Sequence, residues 1–103
     1  MRFLNQTPAD KLTDFRNRPY FLWDCKLTRV EFEKRIQKSE NPEVRAYFAA
    51  KLLRQAKPDD VFLFLTAQEI ADLWNDMLPY LGQKREFWDW LLNILAGQGH
   101  VTR

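Results

Sequence analysis

Apolar positions recur at three- and four-residue spacing over most of this chain, and each run opens on a residue able to cap a helix. Thr28-Arg29-Val30-Glu31 has the capping-box pattern, with Leu27 and Phe32 placed to close over it as a hydrophobic staple. The helix it starts runs to about Lys38, with Phe32 and Ile36 facing inward. Asn41-Pro42-Glu43 supplies a cap, a first-position proline and an acid near the positive helix end. Val44, Phe48, Ala49, Leu52, Leu53 and Ala56 then succeed one another at helical spacing until Pro58. Thr66-Ala67-Gln68-Glu69 is a second capping box, with Leu65 and Ile70 as its staple. Ile70, Leu73, Trp74, Met77, Leu78 and Leu81 form the stripe behind it. Pro79 is expected to end or kink this helix, and Gly82 is placed to cap the next segment. Near the start, Thr7-Pro8-Ala9-Asp10 predicts a short helix from Pro8 to about Arg18, ahead of Pro19.

The last helix, from about Gln83 or Lys84 to Gly97, breaks the pattern. Phe87-Trp88-Asp89-Trp90-Leu91-Leu92-Asn93-Ile94-Leu95 carries seven large apolar side chains in nine positions. They fill an arc of roughly 200°, against the ~100° stripe that covers a core. Either two sides of this helix are buried or one side is kept for a partner. Phe87, Trp90, Leu91 and Ile94 are read as the core-facing stripe, which leaves Trp88, Leu92 and Leu95 as the candidate protein interface. The competing reading is that the Val61–Leu65 segment or the N-terminal aromatic segment covers that flank. Tyr20–Trp23 reads as an extended buried connector. Val61–Leu65 is strand-like in its aromatics, but no strand of similar strength exists to pair with it, so a short helix started by Asp59 or Asp60 is expected. The fold class is therefore all-α, a compact bundle of five or six helices forming a single domain over residues 1–97, with 98–103 as a flexible tail.

Composition narrows the class. Of 103 residues, 46% are hydrophobic and 15% aromatic while only 3 are Gly, which describes a folded helical domain. The single Cys25 excludes an intrachain disulfide and suits a reducing compartment. No apolar run suits a signal peptide or a membrane span, so a cytoplasmic protein is expected. The net charge of +2 is too small to imply nucleic acid, but it is unevenly spread. Residues 27–57 carry a balance of +4 and residues 58–103 one of −4, so the two halves either attract each other or present a basic face.

Candidate chemistry is sparse. Cys25 and the lone His100 make a nucleophile pair only if the tail folds back. Asp59 and Asp60 read as helix caps. Glu69, Asp72 and Asp76 share a helix face without a fourth ligand, and no Gly-rich phosphate loop exists. No catalytic residue, metal, cofactor or small-molecule substrate is assigned. Arg45 is the oddity. On a helical projection Leu52 and Phe48 lie about 20° and 60° to one side of it, and Ala56 and Ala49 about 20° and 40° to the other. A cation inside an apolar stripe needs a partner, and Asp59 or Asp60 are the candidates for a structural ion pair. Arg29, Lys34, Arg35, Lys38, Lys51 and Arg54 populate two helices joined by a tight turn, a candidate nucleic-acid patch interrupted by Glu31, Glu33, Glu40 and Glu43.

Two stretches resemble known families. Asn41-Pro42-Glu43-Val44-Arg45-Ala46-Tyr47-Phe48-Ala49-Ala50-Lys51-Leu52-Leu53 resembles the second helix of a HEAT repeat, which implies that Arg45 bonds across packed helices. Residues 24–95 are similar to small uncharacterised bacterial proteins often encoded beside abortive-infection-type nucleotidyltransferases. The carrying residues include Asp24, Leu27-Thr28, the Asn41–Tyr47 run, Asp60-Val61, Trp74 and Leu81-Gly82 with Phe87-Trp88. That resemblance implies a cognate partner in a toxin–antitoxin-like pair. The expected function is protein binding without catalysis, with another protein or a second copy as partner. The runner-up is a nucleic-acid-binding regulator.

Overall fold

Both capping boxes form. In the computed structural model, which describes residues 5–103, the Glu31 amide donates to Thr28 Oγ1 at 3.2 Å while the Thr28 amide donates to Glu31 Oε1 at 3.1 Å. Thr66 and Glu69 repeat the exchange at 3.1 and 3.0 Å. Asn41 Oδ1 accepts from the Glu43 amide at 2.9 Å, with Pro42 in the first turn, where its missing N–H is not needed. The α-helices in chain order are α1 (Ala9–Leu12), α2 (Arg29–Gln37), α3 (Pro42–Gln55), α4 (Pro58–Val61), α5 (Ala67–Asp72), α6 (Trp74–Leu81) and α7 (Arg85–Gly97), with 3₁₀ turns at Tyr20–Leu22 and Gly82–Lys84. The fold is all-α. Among the described residues the one β feature is an isolated bridge between Thr13 and Pro19. A radius of gyration of 13.4 Å matches the ~13 Å of a compact domain this size.

Helix α3 is the spine, packed against α2 and α6. Ala46, Ala49 and Ala50 are fully buried on it, and their small side chains let the neighbouring helices come close. The two segments of ambiguous pattern complete the core. The 3₁₀ turn delivers Phe21, and the helical turns that continue α4 through residues 61–65 deliver Phe64; both meet Phe32 of α2 edge to face, with ring centres 5.3 to 5.5 Å apart. Each such aromatic pair adds about 0.5–1.5 kcal/mol beyond its area burial. Tyr20–Trp23 is thus a tight turn and not the expected extended connector, with Phe21 and Leu22 inside and Trp23 turned out.

Two helices differ from expectation. The first helix stops at Leu12 instead of Arg18, because Asp14 Oδ1 accepts from the Arg16 and Arg18 amides and folds residues 14–18 into a loop, with Asn17 at φ +59. The helix expected over 66–81 divides at Leu73 into α5 and α6, so that counting the pair as one bent rod gives six helices, and Pro79 lies inside α6. Asn75, whose carbonyl the proline cannot satisfy, is exposed to water. Gly82 then takes φ +56 with ψ −136, a conformation open essentially to glycine alone.

The tail expected to be flexible is docked. Helix α7 closes with the His100 amide donating to Leu95 O at 2.9 Å and the Gly99 amide to Ala96 O at 3.1 Å, around Gly99 at φ +80. Val101 is buried, and the Thr102 amide and carbonyl both pair with the Gln68 side-chain amide at 2.9 Å. Arg103 reaches Asp89 at 2.9 Å and Asn93 at 2.6 Å, with its guanidinium over the Trp74 ring.

Candidate functional site

The 200° apolar arc of α7 is divided by the fold, in the opposite sense to that expected. Trp88 is fully buried, Leu92 and Leu95 are buried with it, and the interface assigned to these three residues is corrected: they are core. The reason lies on α3. That helix ends at Gln55, so the Leu53 carbonyl is among the last four with no partner in the helix. The amide of Lys57, which a longer helix would aim at it, donates instead to the Tyr20 hydroxyl at 2.8 Å. The Trp88 indole N–H takes the vacant carbonyl at 3.0 Å. Phe62 covers the indole with its ring 6.0 Å away, so the Val61–Leu65 segment is the competitor that closes this flank.

The other flank is left open. Trp90 is 58% exposed, and Phe87 and Ile94, each about one turn away along the same face, are exposed beside it; Leu91 is the half-buried seam. The Phe87 and Trp90 rings lie 6.0 Å apart, so the aromatic surface is contiguous. This face is the candidate functional site. Sequence periodicity identifies the helix and the excess but not the half that is spare, because the deciding partner, the Leu53 carbonyl, is thirty-five residues away.

Arg45 does serve the packing of neighbouring helices, but not through an acid. Its Nε–H donates to the Ile36 carbonyl at 3.1 Å, an acceptor at the negative end of α2, and the ion pair with Asp59 or Asp60 is absent. Those two acids hold the N-terminal segment. Asp59 Oδ2 accepts from the Asn5 amide at 2.9 Å. Asp60 is fully buried and accepts from the Thr7 amide at 2.7 Å, the Thr7 hydroxyl at 2.6 Å and the Tyr20 hydroxyl at 2.6 Å. Burial alone would raise the Asp60 pKa, but these donors and the nearby Lys57 charge outweigh it and hold the carboxyl below its ordinary range. The Tyr20 hydroxyl is pushed up to about 12 by burial and by the carboxylate it donates to.

The basic patch on α2 and α3 comes apart. Lys51 is only 5% exposed, and its ammonium is 2.5 Å from Asp24 Oδ2, a bond that lowers the Asp24 pKa. Arg29 pairs with Glu33 at 2.9 Å and lies over Phe64. Arg54 is partly buried, with its Nε enclosed and without a hydrogen-bond partner among the described residues. Lys34 and Arg35 on α2, and Lys38 just past its end, remain exposed. Among the described residues no cluster of three or more His, Cys, Asp or Glu side chains is arranged to hold a metal ion, and no helix is long and apolar enough to cross a membrane. No family model, curated protein or solved structure matches this chain.

Proposed function

We propose that this chain is a protein-binding domain with no catalytic activity of its own, and that the Phe87–Trp90–Ile94 face of α7 is where the partner docks. One observation carries the reading: Trp90 stands exposed against Phe87 on a helix whose other flank already fills the core. A large aromatic costs solubility when exposed and contributes binding energy when covered, which is why such residues anchor interfaces. Five of the fourteen carboxylates, Asp14, Asp24, Glu31, Asp60 and Glu69, are engaged in internal hydrogen bonds. A helix face with apolar residues at i, i+3 and i+7 fits a partner that offers an apolar helix stripe of its own. A second copy of this chain meets that description; the partner that the sequence resemblance implies is a cognate nucleotidyltransferase.

The test is the solution mass of the chain alone and with a co-expressed partner, by light scattering, for the native protein and for Trp90→Ser/Ile94→Ser. The expected result is an association that the double substitution abolishes while the thermal midpoint stays unchanged. Equal masses and equal partner capture for both proteins would overturn the assignment of this face.

A further inference from the structure

Two clefts of about 340 and 500 Å³ meet at Cys25. The first lies between the loop after α1 and the 3₁₀ turn, with Lys11, Tyr20 and Trp23 on its walls; the second lies between α2 and α3, with Lys26, Arg35 and Tyr47. Phe48 on the second cleft packs against the core, but the other aromatics do not belong to it. Trp23 is 77% exposed, and Tyr20 and Tyr47 each leave a large part of the ring in water. Among the described residues none stacks on Trp23. The acids of the two clefts are exposed but each already has a partner in the chain: Asp14 accepts from the Arg16 and Arg18 amides and pairs with Arg18, Asp24 is held by Lys51 and Gln55, and Glu31 Oε1 accepts from Thr28. Lys11, Lys26 and Arg35 have no acid within 4 Å among the described residues, although Glu31 lies one turn from Arg35 and feels its charge.

We infer that these two adjoining clefts bind single-stranded nucleic acid, with the backbone tracking Lys11, Lys26 and Arg35 and bases stacking on Trp23 and Tyr47. Cations without an acid partner, of which Arg35 also lies over the Phe48 ring, stand beside exposed rings and provide the two interactions that a strand offers, phosphate charge and an unpaired π-face. A duplex hides its base faces and cannot use Trp23. An acidic protein surface would satisfy the cations but leave the rings unused. The paired clefts are separate from the patch the sequence suggested: they keep Arg35, lose the surface role of Lys51 to the Asp24 pair, and gain Trp23, which a pattern of charges cannot reveal.

The experiment is fluorescence anisotropy of a labelled twelve-residue oligouridylate, titrated with the whole chain from 25 to 300 mM NaCl. Three unpaired cations at ~0.7 ion each predict a slope of log K against log[NaCl] near −2. Trp23→Ala is expected to weaken binding about tenfold, within the range for loss of one stacked base, without affecting the fold of a side chain so exposed. Lys26→Gln and Arg35→Gln should each flatten the slope by about 0.7, while Lys38→Gln, outside the clefts, should leave it unchanged. Slower reaction of the Cys25 thiol with a disulfide reagent when the oligonucleotide is bound would place the strand in the clefts. No anisotropy change at 100 µM protein (roughly the weakest non-specific range) in 25 mM salt overturns the inference. So does equal affinity for a duplex, for polyglutamate or for the Trp23→Ala variant.

Discussion

Trp88 and Trp90 lie two residues apart on one helix and have opposite fates. One indole is sealed in the core with its N–H on the Leu53 carbonyl; the other stands in water. Hydrophobicity does not distinguish them, and their positions on the apolar arc are both permitted. What separates them is whether a polar atom elsewhere in the fold needs the indole N–H. A helix that ends leaves carbonyls without donors, and the side chain that reaches one gains a hydrogen bond together with its burial. Arg45 obeys the same rule on Ile36 of α2. Two helix ends in this small core are thus finished by side chains from other helices.

The sharpest break of the comparison is truncation of the buried member. Trp88→Ala is expected to cost about 3–5 kcal/mol, because it leaves a large cavity and a carbonyl without a donor. Trp88→Phe keeps most of the volume but removes the N–H and part of the second ring, so its loss should fall below that of Trp88→Ala and be dominated by the ~1–3 kcal/mol of an unsatisfied buried acceptor. Urea unfolding tracked by far-UV circular dichroism measures both. Equal, small losses would mean that Leu53 and Phe62 do not hold this flank.

Asp60 extends the same contrast to a charged group, and the next effect is smaller. Asp60→Ala strands the Tyr20 hydroxyl and the Thr7 groups and should cost about 2–4 kcal/mol. Because the folded pKa of Asp60 is depressed, its contribution is complete above the unfolded value near 3.9 and is lost as pH falls through the folded value. Asp60→Asn should therefore flatten the acid limb of the stability curve below about pH 4. Tyr20 has the reverse sign. Its folded pKa of about 12 lies above the unfolded 10, so its contribution holds below pH 10 and is lost as pH rises toward 12. Tyr20→Phe should remove that alkaline loss. Denaturant midpoints at pH 3, 7 and 11 separate the two.

Arg45→Met keeps the length of the stem and deletes the donor to Ile36, at an expected loss of about 1–2 kcal/mol. Urea midpoints measure the loss. Rescue by adding an acid at this site is not expected, since the partner is a carbonyl at a helix end.

How far the chain can be read from its sequence depends on the range of each interaction. Caps at Thr28, Asn41 and Thr66 act within three residues, so pattern alone locates them. The arc of α7 is equally local and is legible as an excess. Which half faces inward depends on Leu53 and Phe62, and the partner of Arg45 on where α2 stops; neither is encoded nearby. The loop at Asp14 escapes the pattern because a side chain that competes for backbone amides ends a helix as firmly as a proline does. The docked tail escapes it too. Val101, Thr102 and Arg103 have no periodicity, and their partners Gln68, Trp74 and Asp89 lie in three other helices.

The smallest expected effect closes the comparison most tightly. Trp90→Ala removes a large apolar side chain, yet most of that side chain lies in water and not in the core. Its stability should stay within about 0.5 kcal/mol of the native chain, as for a surface position whose one ring neighbour, Phe87, is itself exposed. Set beside Trp88→Ala, this makes two neighbouring tryptophans differ by several kcal/mol on the strength of the burial and the carbonyl that only one of them has. A loss above about 2 kcal/mol at Trp90 would show that this ring supports the fold, for instance by holding Phe87 and through it the first turn of α7. The open flank would then be structural, and the docking surface for a partner would have to be sought elsewhere. Stability retained together with association lost is the signature of a face kept for binding.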